Sequence, residues 1–156
     1  MIIGSPSKAP DIVDALNDLV TGALVFAGLQ VIDGPILDLE DLANDAICIG
    51  AGSTSDPGFT SSFEVDTSLG RKAYTETVFI NVTISARIVD DYDMRARRQR
   101  VKELLADLQG LLTDNRVNDG TWDDIGVGPE GVWHQVVTVR GAVCALGVLV
   151  EARALI

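Results

Sequence analysis

The stretch Tyr74-Thr75-Glu76-Thr77-Val78-Phe79-Ile80-Asn81-Val82-Thr83-Ile84-Ser85-Ala86-Arg87-Ile88 decides the fold. Its even positions are apolar, Glu76 excepted, and the odd positions Thr75, Thr77, Asn81, Thr83, Ser85 and Arg87 are polar. A strand repeats every two residues, so this pattern predicts one long strand with a core face and a wet face. Thr60 to Thr67 holds Phe63 and Val65 in the same phase and reads as its antiparallel partner, joined through Ser68-Leu69-Gly70-Arg71-Lys72.

Working outward, the apolar positions Ile12, Val13, Leu16, Leu19, Val20, Ala23 and Leu24 recur at helical spacing. Pro10 suits the first turn of that helix and Gly28 its end. Leu29 to Ile32 reads as a strand stopped by Asp33-Gly34-Pro35. Ile36 to Asp45 suits a short helical turn, Ala46 to Gly50 a buried strand, and Ala51 to Gly58 an exposed loop. A second helix follows Asp90, Asp91 and Asp93, with the stripe Val101, Leu104, Leu105, Leu108, Leu111 and Leu112. Thr113 to Gly131, rich in glycine, reads as irregular, and Val132 to Val139 and Ala142 to Ala154 as two strands turned at Arg140-Gly141. The expected architecture is α+β: one mainly antiparallel, or mixed, sheet of four to six strands with two helices on one face.

The 156 residues suit a single domain, 1–156, and at 47% apolar they suffice for one aliphatic core. No apolar run reaches the roughly 18 residues of a membrane span, and Met1 to Pro10 lacks the pattern of a secretory signal. Synthesis in the cytoplasm is expected, with Cys48 and Cys144 as buried free thiols. The formal charge of −11 repels phosphate, which argues against gripping nucleic acid while allowing DNA to slide past.

Chemistry-bearing patterns are sparse. His134 is the only histidine and has no nearby cysteine or paired acid at ligand spacing, so a structural role is expected of it. Gly50-Ala51-Gly52-Ser53 lacks the Lys-Ser or Lys-Thr of a phosphate loop. Asp38, Glu40, Asp41 and Asp45 lack the spacing of a calcium loop. Neither a catalytic residue, a cofactor nor a metal is expected.

One feature breaks pattern: Arg95, Arg97, Arg98, Arg100 and Lys102 gather five of the twelve basic residues at the start of the second helix. Positive charge there opposes the helix dipole. One reading is a solvated face balanced by Asp90, Asp91 and Asp93. The other is a positive patch, Arg95, Arg97 and Arg98 foremost, that meets acids on a neighbouring copy, such as Asp119, Asp123 and Asp124.

The order of these elements carries a resemblance. A leading helix, Gln30-Val31-Ile32-Asp33-Gly34-Pro35, the strand Ile47-Cys48-Ile49-Gly50, the long strand around Val78 to Ile88, an Arg-rich helix and a closing Gly141-Ala142-Val143-Cys144-Ala145-Leu146 strand resemble the tail terminator proteins of long-tailed phages, particularly those infecting actinobacteria. The resemblance implies a virion protein of the tail and neck, a homo-hexameric ring on the last ring of the major tail tube protein. Such a ring ends tube polymerisation and joins the tail to the head connector or head-closure protein. DNA would pass through the lumen without specific binding, and no membrane is involved. The loops Ala51 to Phe59 and Ser68 to Ala73 are expected to touch tube or connector through Phe59, or through Arg71 and Lys72. Rival readings are another neck protein, a tube subunit, or a small-ligand-binding or enzyme-like α+β domain.

Overall fold

A computed structural model describes residues 7–35, 44–52, 57–66 and 73–156. Its centre is β4 (Ala73–Arg87), the alternating stretch above. One edge of β4 pairs antiparallel along nearly its whole length with β6 (Gly141–Leu155), from Thr75↔Leu155 to Arg87↔Val143. The other edge is shared: β3 (Phe59–Asp66) pairs with its first half and β2 (Ala46–Ile49) with its last residues, both antiparallel. Outside β2 lies β1 (Gln30–Asp33), parallel to it, and outside β6 lies β5 (Asp124–Thr138), antiparallel. The result is one mixed six-stranded sheet in the order β1-β2-β4-β6-β5, with β3 beside β4, and the fold is α+β.

Two helices cover one face. Helix α1 (Ala9–Gly22) lies against β1, β2 and β4, and α2 (Met94–Asp114) against β4, β5 and β6. Ile12, Leu16 and Val20 of α1 and Val101, Leu104, Leu108 and Leu112 of α2 meet Val78, Ile80, Val82 and Ile84 of β4 and the even positions of β6. Each such buried aliphatic contributes about 1.5–3 kcal/mol relative to exposure.

Glu76, the exception to the alternation, is fully buried on that same face. Its carboxylate accepts from Ser7 Oγ at 2.5 Å and from the Lys8 backbone N–H at 2.7 Å. Helix α1 has no side-chain cap of its own at Lys8, so Glu76 supplies the acceptor, and negative charge, that a helix N-terminus favours.

The stretch Thr113 to Gly131 corrects the expectation of an irregular connection. Helix α2 runs on to Asp114, and β5 begins at Asp124. Glycine and proline there do not end the strand; they make a register break between Val127 and Gly131, which an edge strand tolerates because one side of its ladder is unpaired. Of the expected helical turn Ile36 to Asp45, residues 36–43, with Asp38, Glu40 and Asp41, lie outside the described residues, as does the connection Ser68 to Lys72; Asn44 and Asp45 are not helical.

Cys48 pairs in register with Thr83 and Cys144 with Ala86, neighbouring parities of β4, so the thiols sit on opposite faces of the sheet. Both are free and buried. Burial pushes the Cys48 thiol up to about 11, and raises that of Cys144 against the opposing charge of Arg98. Neither thiol is expected to react with a water-soluble disulfide reagent in the native chain at pH 8, and both should after unfolding. Rapid native labelling would contradict the packing. Because the folded thiol sits above its ordinary 9.0, its contribution to stability is whole below pH 9 and is lost as pH rises through about 11.

Candidate functional site

The basic cluster divides once it is wound onto α2. Asp93 caps the helix by accepting from the Ala96 N–H at 3.1 Å, which fixes where the turns begin. Arg97 then falls on the core stripe with Val101 and Leu104 and is only 7% exposed, so it does not belong to a surface patch. Arg100 turns towards β2, where its Nε donates to Asp45 Oδ2 at 2.9 Å. That hydrogen bond, with the charge of Asp45, raises the guanidinium above its ordinary value. Arg95, Arg98 and Lys102, spaced by three and four, form one exposed flank. Arg98 Nη1 donates to Gln135 Oε1 at 2.6 Å, which places this flank over β5.

The acids proposed as its counterpart lie at the far end of α2, about 30 Å away along a 21-residue helix. Asp124 is already paired with Arg116 Nε at 2.8 Å, and Asp123 Oδ2 accepts from the Leu155 N–H at 2.8 Å. Asp119 is exposed in the turn between Asn118 and Trp122 that leads from α2 to β5. The structure therefore puts the basic flank and these three acids at opposite ends of α2, with Asp124 in register with Arg153 on the face of the sheet away from the helices.

Of the loop residues, Phe59 opens β3 and is 40% exposed. The base of its loop is pinched: Asn81 Nδ2 donates to the Pro57 carbonyl, the Asn81 N–H to the Gly58 carbonyl, and the Gly50 N–H to the Asn81 carbonyl. A Cβ on Gly58 would stand 2.6 Å from the Gly50 carbonyl oxygen, so only glycine fits there. Arg71 and Lys72 lie outside the described residues.

Sequence reasoning missed the most unusual surface, the second half of β5. From Gly131 to Val137 every residue is exposed, on both faces of the strand. Val132 is 60%, Trp133 48% and Val137 67% exposed, and no described strand pairs with the outer edge. Natural edge strands are usually blunted by charge, proline or bulges. Here Pro129 and the register break blunt the first half, and Gly131-Val132-Trp133-His134-Gln135-Val136-Val137-Thr138 is left without an Asp, Glu, Lys or Arg. The signal was visible as an uncharged, β-branched run. What could not be read is that it faces solvent twice. His134 stands on the face of this edge away from the helices, in register with Ala145.

The described cavities are shallow and polar; the one beside Asp45 and Arg100 is about 420 Å³ and is lined by Val25, Leu29 and Arg87 among others. Among the described residues no group of three His, Cys, Asp or Glu side chains stands at metal-binding distance, and no helix is long and apolar enough to cross a membrane. No protein-family model matches the chain, and no curated protein matches it significantly.

Proposed function

We propose that this chain is a structural subunit of a ring that caps the head-proximal end of a phage tail tube, stops its growth and offers a seat to the head connector. The observation that carries the reading is the open half of β5, an uncharged and twice-exposed edge holding Trp133 beside an arginine flank. Trp, Tyr and Arg are the residues that dominate protein interfaces, and an apolar edge left in water invites another chain. The order of elements that resembles tail terminators supports the same reading, as does an α+β sheet with both helices on one face. A formal charge of −11 suits a lumen that DNA must traverse without adhering.

Negative-stain microscopy of the purified chain tests it. The expected particle is a single ring, which binds one end of a tail tube when tubes are added. Long cylinders would favour a tube subunit, and a monomer both alone and with tubes would remove the proposal. Reversing Arg95 and Arg98 together to Glu is expected to abolish rings in light scattering while the far-ultraviolet circular dichroism stays native, since both side chains are exposed. Rings that persist would show that the basic flank takes no part.

A further inference from the structure

The two lateral ends of the sheet are matched in level, direction, polarity and charge. Following the registers across it, Gln30 of β1 is aligned through Ala46, Ser85 and Ala145 with His134 of β5. Asp33 is aligned through Ile49, Val82 and Val148 with Gly131. The outer edge of β1 and the open half of β5 therefore stand at the same height on opposite sides of the molecule. β1 runs antiparallel to β4 and β5 runs parallel to it, so the two end strands are antiparallel to one another. A rotation about an axis parallel to the strands preserves both height and direction. Such a rotation brings β5 of one copy beside β1 of the next as an antiparallel pair, without any slide along the strands, and keeps both helix layers on the same side.

The side chains agree with that docking. At the β1 end Leu24 is 93% and Val25 50% exposed, in the 3-10 turn that leads into the strand. They offer an apolar counterpart to Trp133 and Val137. Asp33 and, on α1 above it, Asp18 and Asp14 are exposed acids. Across the joint they would face Arg95, Arg98 and Lys102 of α2. Asp33 lies on the helix side, where its Oδ1 accepts from Asn17 Nδ2 at 3.1 Å, and so does Gln135 under Arg98.

We propose that Gly131 to Thr138 of β5 docks on a second copy of this chain, pairing antiparallel with Gln30–Asp33 of β1 while the α2 basic flank meets the acids of α1 and β1. The contact is heterologous, one patch against a different patch, and such contacts generate rings when the rotation closes. Backbone pairing to an exposed sheet edge supplies the affinity, and the flanking charges fix the direction. The assignment rests on the ring reading above. It also replaces the acids at the far end of α2 with acids at the opposite end of the sheet.

Hydrogen exchange on the assembled full-length chain tests it, with the variant Val137→Lys as the dissociated reference. Val137 is largely exposed, so lysine there should leave the monomer folded, with an unchanged melting temperature, and remove the ring. Should that variant misfold, Trp133→Ser serves in its place. The expected result is that peptides covering Gln30–Asp33 and Gly131–Thr138 both lose protection in the variant, whereas β3, Phe59–Asp66, exchanges alike in both. Rings seen by microscopy with neither edge protected, or with β3 protected in place of β1, would overturn this docking and leave the ring reading standing. Rings that survive Val137→Lys and Trp133→Ser would overturn it too. A chain that stays monomeric in every setting would remove the ring reading itself.

Discussion

Replacing Trp122 by alanine is expected to cost about 3–5 kcal/mol of stability, the range for emptying a large aromatic site in a core. Trp122 is 1% exposed and belongs to the same apolar cluster as Leu108 and Leu112 of α2. Its Nε1–H donates to the Asn115 carbonyl at 3.0 Å, satisfying a group at the C-terminal end of α2 that has no partner within the helix. Its own backbone exchanges hydrogen bonds with Asn118, each 3.0 Å, closing the turn into β5. One side chain thus fastens the end of a helix to the start of a strand. Trp122→Phe keeps most of the volume and loses the indole donor, so a smaller loss, about 1 kcal/mol beyond the change in packing, is expected. Denaturant unfolding followed by far-ultraviolet circular dichroism measures both, and a loss below about 1 kcal/mol for the alanine variant would contradict this account.

The second large effect is expected at Glu76. Glu76→Ala removes a fully buried acceptor and leaves the Ser7 hydroxyl and the Lys8 N–H to find water or another partner. Hydrogen bonds to a charged group are worth about 1.5–3 kcal/mol each, but the carboxylate's own burial offsets part of that, so a net loss of about 2–4 kcal/mol is expected. Glu76→Gln retains one acceptor oxygen and the shape, and should lose about half as much. The distinguishing readout is local: amides of the first turn of α1 should exchange faster in the alanine variant while those of α2 are unchanged. Equal stability of Glu76→Ala and the parent chain would show that α1 does not depend on this carboxylate.

Legibility from the sequence followed the range of the forces involved. The alternation of β4, the stripes of α1 and α2, and the hairpin partner read at Thr60 to Thr67, seen as Phe59–Asp66, are short-range patterns, and the structure contains most of each. But α1 ends at Gly22, leaving Leu24 of the expected stripe 93% exposed in the 3-10 turn, and Ser85 and Arg87 on the expected wet face of β4 are buried. Glu76 looked like a flaw in the alternation because its partners, Ser7 and Lys8, lie 69 and 68 residues before it in the chain. Arg97 looked like part of a basic surface because the count of arginines ignores the turn of the helix; projected at 3.6 residues per turn, it shares the stripe of Val101 and Leu104. The start of β5 was hidden by glycines and Pro129, which usually end strands but here only shift the register of one. The open edge was least legible, because exposure on both faces depends on which strands end up as neighbours.

The pairing of β4 with β6 sets the direction in which this subunit resists force. Each strand has 15 residues, about 50 Å of extended chain, and they are bonded side by side over almost all of it. Tension along the strands loads the cross-strand bonds together, in shear, whereas tension across them opens the ladder from one end, a bond at a time. The subunit is therefore stiff along one axis and weak across it. In the annulus proposed above, whose rotation axis is parallel to the strands, the stiff direction is the axis of the ring.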